Sequence, residues 1–219
     1  MYLTQMPLNP ARRGSRFLLT SPHSMHAAVM AAFPPEVSTR TSDGRILWRV
    51  DRNQHEVLLF IVSPEKPDLT HVVEQAGWPI TSSWQTRNYD PFLEALTIGQ
   101  SFSFRLTANP VRQSRDPKHA GKRLGHVTAL QQRGWLVERA ENHGLRIVSG
   151  VEAEPQVVVS NRLTREFVKD GHKVTLSTAQ FDGRLEVTNV EHLRRTLTNG
   201  LGRAKGYGCG LLTLSRSKL

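Results

Sequence analysis

The sequence predicts an α+β protein made of two tandem ferredoxin-like (βαββαβ) domains, and three observations carry that prediction. Segments of period-two apolar alternation interleave with capped helical segments. A second alternation of strands and helices follows in the other half of the chain and reads as another copy of the unit. The length, 219 residues, suits two small domains of about 100 residues each. No residue-level repeat links the halves, so the duplication rests on element order alone.

Taken in order, residues 2–9 alternate as a strand. Ser21-Pro22 supplies an N-cap with proline at the first helical position, opening a helix that Pro34-Pro35 ends near Phe33. Strands at 45–51 and 56–62 flank a short polar turn, which reads as a hairpin. A second helix covers 68–75, and a strand at 101–107 carries Phe102, Phe104 and Leu106 on one face. This is the β-α-β-β-α-β order of a ferredoxin-like unit, assigned to residues 1–108. Asn109-Pro110 marks the boundary, and residues 112–123 read as a basic connector. In the second unit, 109–219, a helix at 128–142 precedes strands at 145–151, 156–160, 173–181 and 184–187. A helix at 190–198, a glycine-rich loop and an apolar strand at 211–214 complete it.

Charge narrows the function. The chain carries 29 Lys and Arg against 19 Asp and Glu, a formal charge of +10, which points to nucleic-acid partners more than to small acids. A single cysteine, Cys209, excludes an internal disulfide and fits a reducing cytoplasm. No apolar run approaches the roughly 20 residues of a membrane helix, and the N-terminus lacks the pattern of a secretory signal. The expectation is a cytoplasmic protein without a membrane anchor.

The loop GLGRAKGYGCG (200–210) places five glycines in eleven positions just before the final strand. Such a density excludes a helix interior and lets the main chain approach a ligand closely. With Arg203 and Lys205 inside it, the loop reads either as a main-chain cradle for a phosphate, through Gly200, Gly202, Gly206 and Gly208, or as a structural turn. It is not GxxxxGK[ST], because Lys205 precedes Gly206 and no Ser or Thr follows. Neither is it GxGxxG, since the third glycine comes one residue late and a strand follows. No nucleotide cofactor is expected.

His23 and His26 lie three residues apart on the first helix, so they share a face with Cβ atoms about 5–6 Å apart. Two readings stay open: surface imidazoles, or a proton-transfer pair at the edge of a cleft. Imidazole both takes and gives protons near neutral pH. A base at a ribose 2′-OH and an acid at the leaving 5′-oxygen suffice to cleave RNA. The remaining histidines and the one cysteine show no metal-ligand spacing, so no metal is expected.

Basic segments supply candidate contacts. Arg162, Arg165, Lys169 and Lys173 flank Asp170-Gly171, a strong hairpin signal, and a ribbon of this kind neutralises phosphates or simply protects a sheet edge. Lys122 and Arg123 form a second patch with Lys118, and Arg12, Arg13 and Arg16 a third.

Together these residues resemble a known family. The ending from Gly200 to Leu214 looks like the terminal glycine-rich loop of the CasE-type CRISPR repeat endoribonucleases. These are RAMP-superfamily subunits of the type I-E Cascade complex. The opening MYLT (1–4), FRLTANP (104–110), GKR (121–123) and FDGRLEV (181–187) match as well, so the likeness spans nearly the whole chain. The resemblance implies two tandem ferredoxin-like domains and metal-independent cleavage of precursor CRISPR RNA beneath a repeat stem-loop. It implies that the catalytic histidine is His26. Where the family commonly has tyrosine three residues earlier, this sequence has His23, left as a second proton donor or a ribose-positioning group. The family's groove-entering basic hairpin corresponds to the segment 162–173. The implied partners are repeat stem-loop RNA and other Cascade subunits. The alternative is an RNA-binding scaffold of a ribonucleoprotein that has lost catalysis.

Overall fold

Strand β1, Tyr2–Leu8, buries Thr4, Met6 and Leu8 on one side of its pleat and takes the centre of the first sheet. It pairs antiparallel with β3, Val57–Ser63, on one edge and with β4, Gln85–Asn88, on the other, while β2, Leu47–Arg52, pairs with β3. Two short helices, α1 (Arg13–Thr20) and α2 (Pro22–Met30), connect β1 to β2, and α3 (Thr70–Ala76) connects β3 to β4. The strand order β2-β3-β1-β4 within this β-α-β-β-α-β path is ferredoxin-like. Met6, Leu8, Met25, Val29, Leu59, Ile61, Leu69 and Val72 form its core, joining the inner sheet face to α2 and α3.

In this computed structural model the described residues are all but 79, 81–82, 115–120, 122, 151–152, 170–171 and 217–219. After a short helix α4, Asp90–Glu94, strand β5, Ser101–Ala108, opens a second sheet. A small ribbon of β6 (Val111–Gln113) and β7 (Arg123–Gly125) and the helix α5 (Ala129–Ala140) follow. Then come β8 (Leu145–Ile147), β9 (Val157–Lys169), β10 (His172–Val187), α6 (Val190–Asn199) and β11 (Leu212–Arg216). The order is β11-β5-β10-β8, with β9 also paired to β10, and every pairing is antiparallel. The tandem ferredoxin-like fold expected from the sequence is therefore present.

Several assignments within it are corrected. The strand at 101–107, expected to close the first unit, pairs with β10 and β11 in the second sheet. The fourth strand of the first sheet is the polar β4 (QTRN), with Gln85, Arg87 and Asn88 exposed. An edge strand with so little to bury leaves no apolar alternation to read. The strands expected at 156–160, 173–181 and 184–187 merge into one long hairpin, β9–β10. Gly183 does not interrupt β10; a Cβ there would collide with the Gln156 carbonyl oxygen, so the glycine is needed for close strand approach. Helix α1 has no side-chain cap to announce it, and its sequence shows only a basic patch.

The chain divides into two compact units. The first comprises residues 1–95, 198–200 and 205–211; the second holds 96–197, 201–204 and the chain from 212 onward. The glycine-rich segment thus contributes to both, although it is remote in sequence from the first.

One buried ion pair fastens that remote segment within the first unit. Arg49 on β2, 1% exposed, donates from Nε and Nη2 to the two carboxylate oxygens of Asp51 at 2.6 and 2.9 Å. Its Nη1 donates to the Leu211 carbonyl at 2.8 Å. Burying a guanidinium is tolerable only with this degree of pairing. Asp51→Ala strands the cation and is expected to lower stability by about 3–5 kcal/mol, read by urea unfolding. A destabilisation under about 1 kcal/mol would show that water reaches Arg49.

Candidate active site

Helix α2 begins as the sequence predicts. Ser21 is extended, its Oγ accepts the Ser24 N–H at 3.1 Å, and Pro22 occupies the first turn. Met25 and Val29 enter the core, leaving His23 exposed and His26 half-buried at the core margin. His26 packs on the turn Lys205–Tyr207 of the glycine-rich segment. A Cβ built on Gly206 would lie 3.7 Å from Cε1 and Nε2 of His26 and 3.9 Å from Nδ1. The Nδ1 atom is shielded from solvent.

The glycines of the segment differ in what they do. Gly208 has φ +76°, and a Cβ there would lie 2.7 Å from the Trp48 ring. Gly200 is held likewise, 2.9 Å from Leu47. These two seat the segment on β2. Gly206 has ordinary van der Waals room toward His26 and no positive φ. Gly202 belongs to the second unit, where it faces the Trp135 ring.

The cations fall into distinct groups. Lys205 is half-buried, and its pKa is lowered first by desolvation and then by the charges of Arg45 and Arg40. Arg45 is itself lowered, by burial and by Arg40, which pairs with it across an isolated β-bridge. Neither arginine stands out in the sequence. They sit in an irregular stretch before β2 with no motif around them, so only folding brings them to Lys205. In the second unit, Arg203 is exposed and lines a cavity of about 440 Å³ with Asn109, Val111, Trp135, Arg139 and Gly202.

Arg123 on β7 is exposed, as is Arg162 on β9, whose guanidinium donates to the Val127 carbonyl. Arg165 is partly exposed on the same strand. Lys122 and the Asp-Gly pair at 170–171 lie outside the described residues, and so do the side chains of Lys169 and Lys173. Of the patch at 12–16, Arg12 is structural: its Nη1 donates to the carbonyls of Val73 and Gly77 at the end of α3. Arg13 and Arg16 extend along α1, and both are exposed. Among the described residues no group of three His, Cys, Asp or Glu side chains is arranged to hold a metal ion. No helix among them is long and apolar enough to cross a membrane.

Comparison with known proteins gives a consistent result. Residues 1–216 match a family described as CRISPR associated protein. The chain is 31% identical to the CRISPR-associated endoribonuclease Cse3 of Thermus thermophilus, over 98% of this chain and all of that one. It is 26% identical to the CRISPR system Cascade subunit CasE of Escherichia coli, over 77% of this chain and 88% of that one. A solved structure of Thermus thermophilus Cse3, bound to an RNA representing a pre-cleavage complex, superposes with a TM-score of 0.80. It is 29% identical and covers 98% of both chains.

The two kinds of glycine predict opposite sensitivities. Gly208→Ala must displace the Trp48 ring and hold a Cβ at positive φ, and is expected to cost roughly 2–4 kcal/mol in urea unfolding. Gly206→Ala is expected to stay within about 1 kcal/mol of wild type. Lys205→Met removes an ammonium whose pKa is lower folded than unfolded. The unfolded state binds the proton better, so this charge costs stability at neutral pH, and the cost fades as pH rises through the folded pKa. The substitution should therefore raise the melting temperature at pH 7, and raise it less at alkaline pH.

Proposed function

Because the chain belongs to the CRISPR-associated protein family, we propose that it is the endoribonuclease that cuts precursor CRISPR RNA at the base of the repeat stem-loop. It then retains the guide RNA as a Cascade subunit, in the cytoplasm. The observation that carries this reading is His26, held at the core margin against the cationic Lys205–Tyr207 turn. An imidazole able to act as general acid or base thereby packs on a turn that carries a cation, on a chain alike throughout its length to an endoribonuclease.

The chemistry follows from those groups. His26 takes the 2′-OH proton while that oxygen attacks the adjacent phosphorus, and His23, exposed one turn away, protonates the leaving 5′-oxygen. The reverse assignment of the two imidazoles uses the same geometry. One P–O bond forms as the other breaks, giving a 2′,3′-cyclic phosphate and a 5′-hydroxyl. Lys205 offsets negative charge that builds on the phosphate oxygens. Arg123, Arg162 and Arg165, with Lys122, Lys169 and Lys173, hold the stem. An A-form stem offers them a deep major groove read by shape and backbone more than by base edges.

The test uses the repeat beside the gene in its own genome. Wild type should cleave this hairpin in excess EDTA, and His26→Ala should slow cleavage by about 10²–10⁴-fold while binding the RNA within a few-fold of wild type. A 2′-deoxy sugar at the nucleotide before the cut should stop cleavage and leave binding intact. A wild-type protein that binds the hairpin and cuts nothing would instead favour the scaffold reading.

A further inference from the structure

We infer that Arg40, Arg45 and Lys205 form one oxyanion subsite that holds a backbone phosphate of the bound RNA next to His26. The inference rests on the function proposed above and adds two residues and a defined ligand class to it.

Three observations in the first unit meet here. First, the three cations are close enough to repel one another: Lys205 lies in the field of both arginines, and Arg45 in the field of Arg40. The cross-strand bridge between 40 and 45 fixes two of them side by side, and the Arg45 main-chain N–H donates to the Thr198 carbonyl at 3.0 Å. Second, Nε of Arg45 is buried and has no hydrogen-bond partner, a rare condition for a guanidinium donor inside a protein. Among the described residues no carboxylate pairs with Arg40, Arg45 or Lys205, whereas Arg49 nearby in sequence is fully paired with Asp51. Third, Lys205 is followed directly by Gly206, whose Cβ position lies 3.7 Å from Nε2 of His26.

Like charges gathered at a partly buried site without a counter-ion form an arrangement that an arriving anion completes. A phosphodiester suits it, because a planar guanidinium offers paired donors to two phosphate oxygens and an ammonium adds a point charge. Because the turn that carries Lys205 packs on His26, the phosphate this subsite would receive is the scissile one or a near neighbour. Gly206, without a side chain, leaves the His26 ring open on the side of the turn.

The deciding measurement is independent of catalysis. The probe is the repeat hairpin with 2′-deoxy sugars at the nucleotides flanking the foot of the stem, and its Kd is measured against salt for the full-length protein. Removing one cation that neutralises a phosphate lowers the slope of log K against log salt by about 0.7 for a single strand. Arg45→Met, Arg40→Met and Lys205→Met should each weaken binding about 5–50-fold and flatten the slope by that amount, and Arg45→Lys should restore the slope. Unchanged slopes in Arg40→Met and Lys205→Met overturn the subsite, and these two variants carry the test if Arg45→Met does not fold. Protection of wild type by inorganic phosphate, with no slope change toward RNA, overturns it equally. The proposed function fails by a different result: no cleavage of the all-ribose hairpin by wild type.

Discussion

The Arg49 guanidinium makes the first unit one structure instead of a sheet with a loose tail. It is buried on β2, satisfied by both oxygens of Asp51, and donates its remaining reach to the carbonyl of Leu211, 162 positions along the chain. A charge in that environment is stable only when each partner stays in place. The end of the glycine-rich segment is therefore fixed to β2 as firmly as the ion pair itself. Gly208 on Trp48 and Gly200 on Leu47 extend the same attachment. Each requires the absence of a side chain.

That attachment decides the chemistry. Helix α2 alone presents two histidines, one exposed and one half-buried, which is an ordinary surface arrangement. Seating the turn Lys205–Tyr207 against His26 turns it into a candidate site, because the imidazole then borders the main chain of a turn that carries a cation. Arg40 and Arg45 join from the stretch before β2, and the ammonium and both guanidinia end in one field. The stability cost of gathering like charges is the usual signature of a site built for an anionic partner.

Much of this is legible in the sequence, and what escapes it has identifiable causes. The cap at Ser21-Pro22, the hairpin β2–β3 and the alternation of Phe102, Phe104 and Leu106 are local signals, and they place their elements to within a few residues. Strand β4 escapes because its side chains are mostly exposed, and pairing alone makes it a strand. The hairpin β9–β10 looks interrupted at Asp182-Gly183, where the glycine in fact serves close approach to Gln156. Arg40 and Arg45 draw no notice because they form no charge run and no motif, even with Arg45 at the start of the strand expected at 45–51.

From the sequence alone come the α+β class, the histidine helix and its cap, the positive balance, and a family resemblance carried by motifs spread from residue 1 to about 214. These are properties of local order and composition, which each segment expresses without reference to any other. Only the tertiary structure decided which strand closes each sheet, which glycines are packed and which leaves room, which cations gather at Lys205, and that its turn packs on His26. Those are meetings of residues far apart in the chain. They are set by the burial of β2 and the pairing of Arg49 with Leu211, and no spacing in the sequence encodes them.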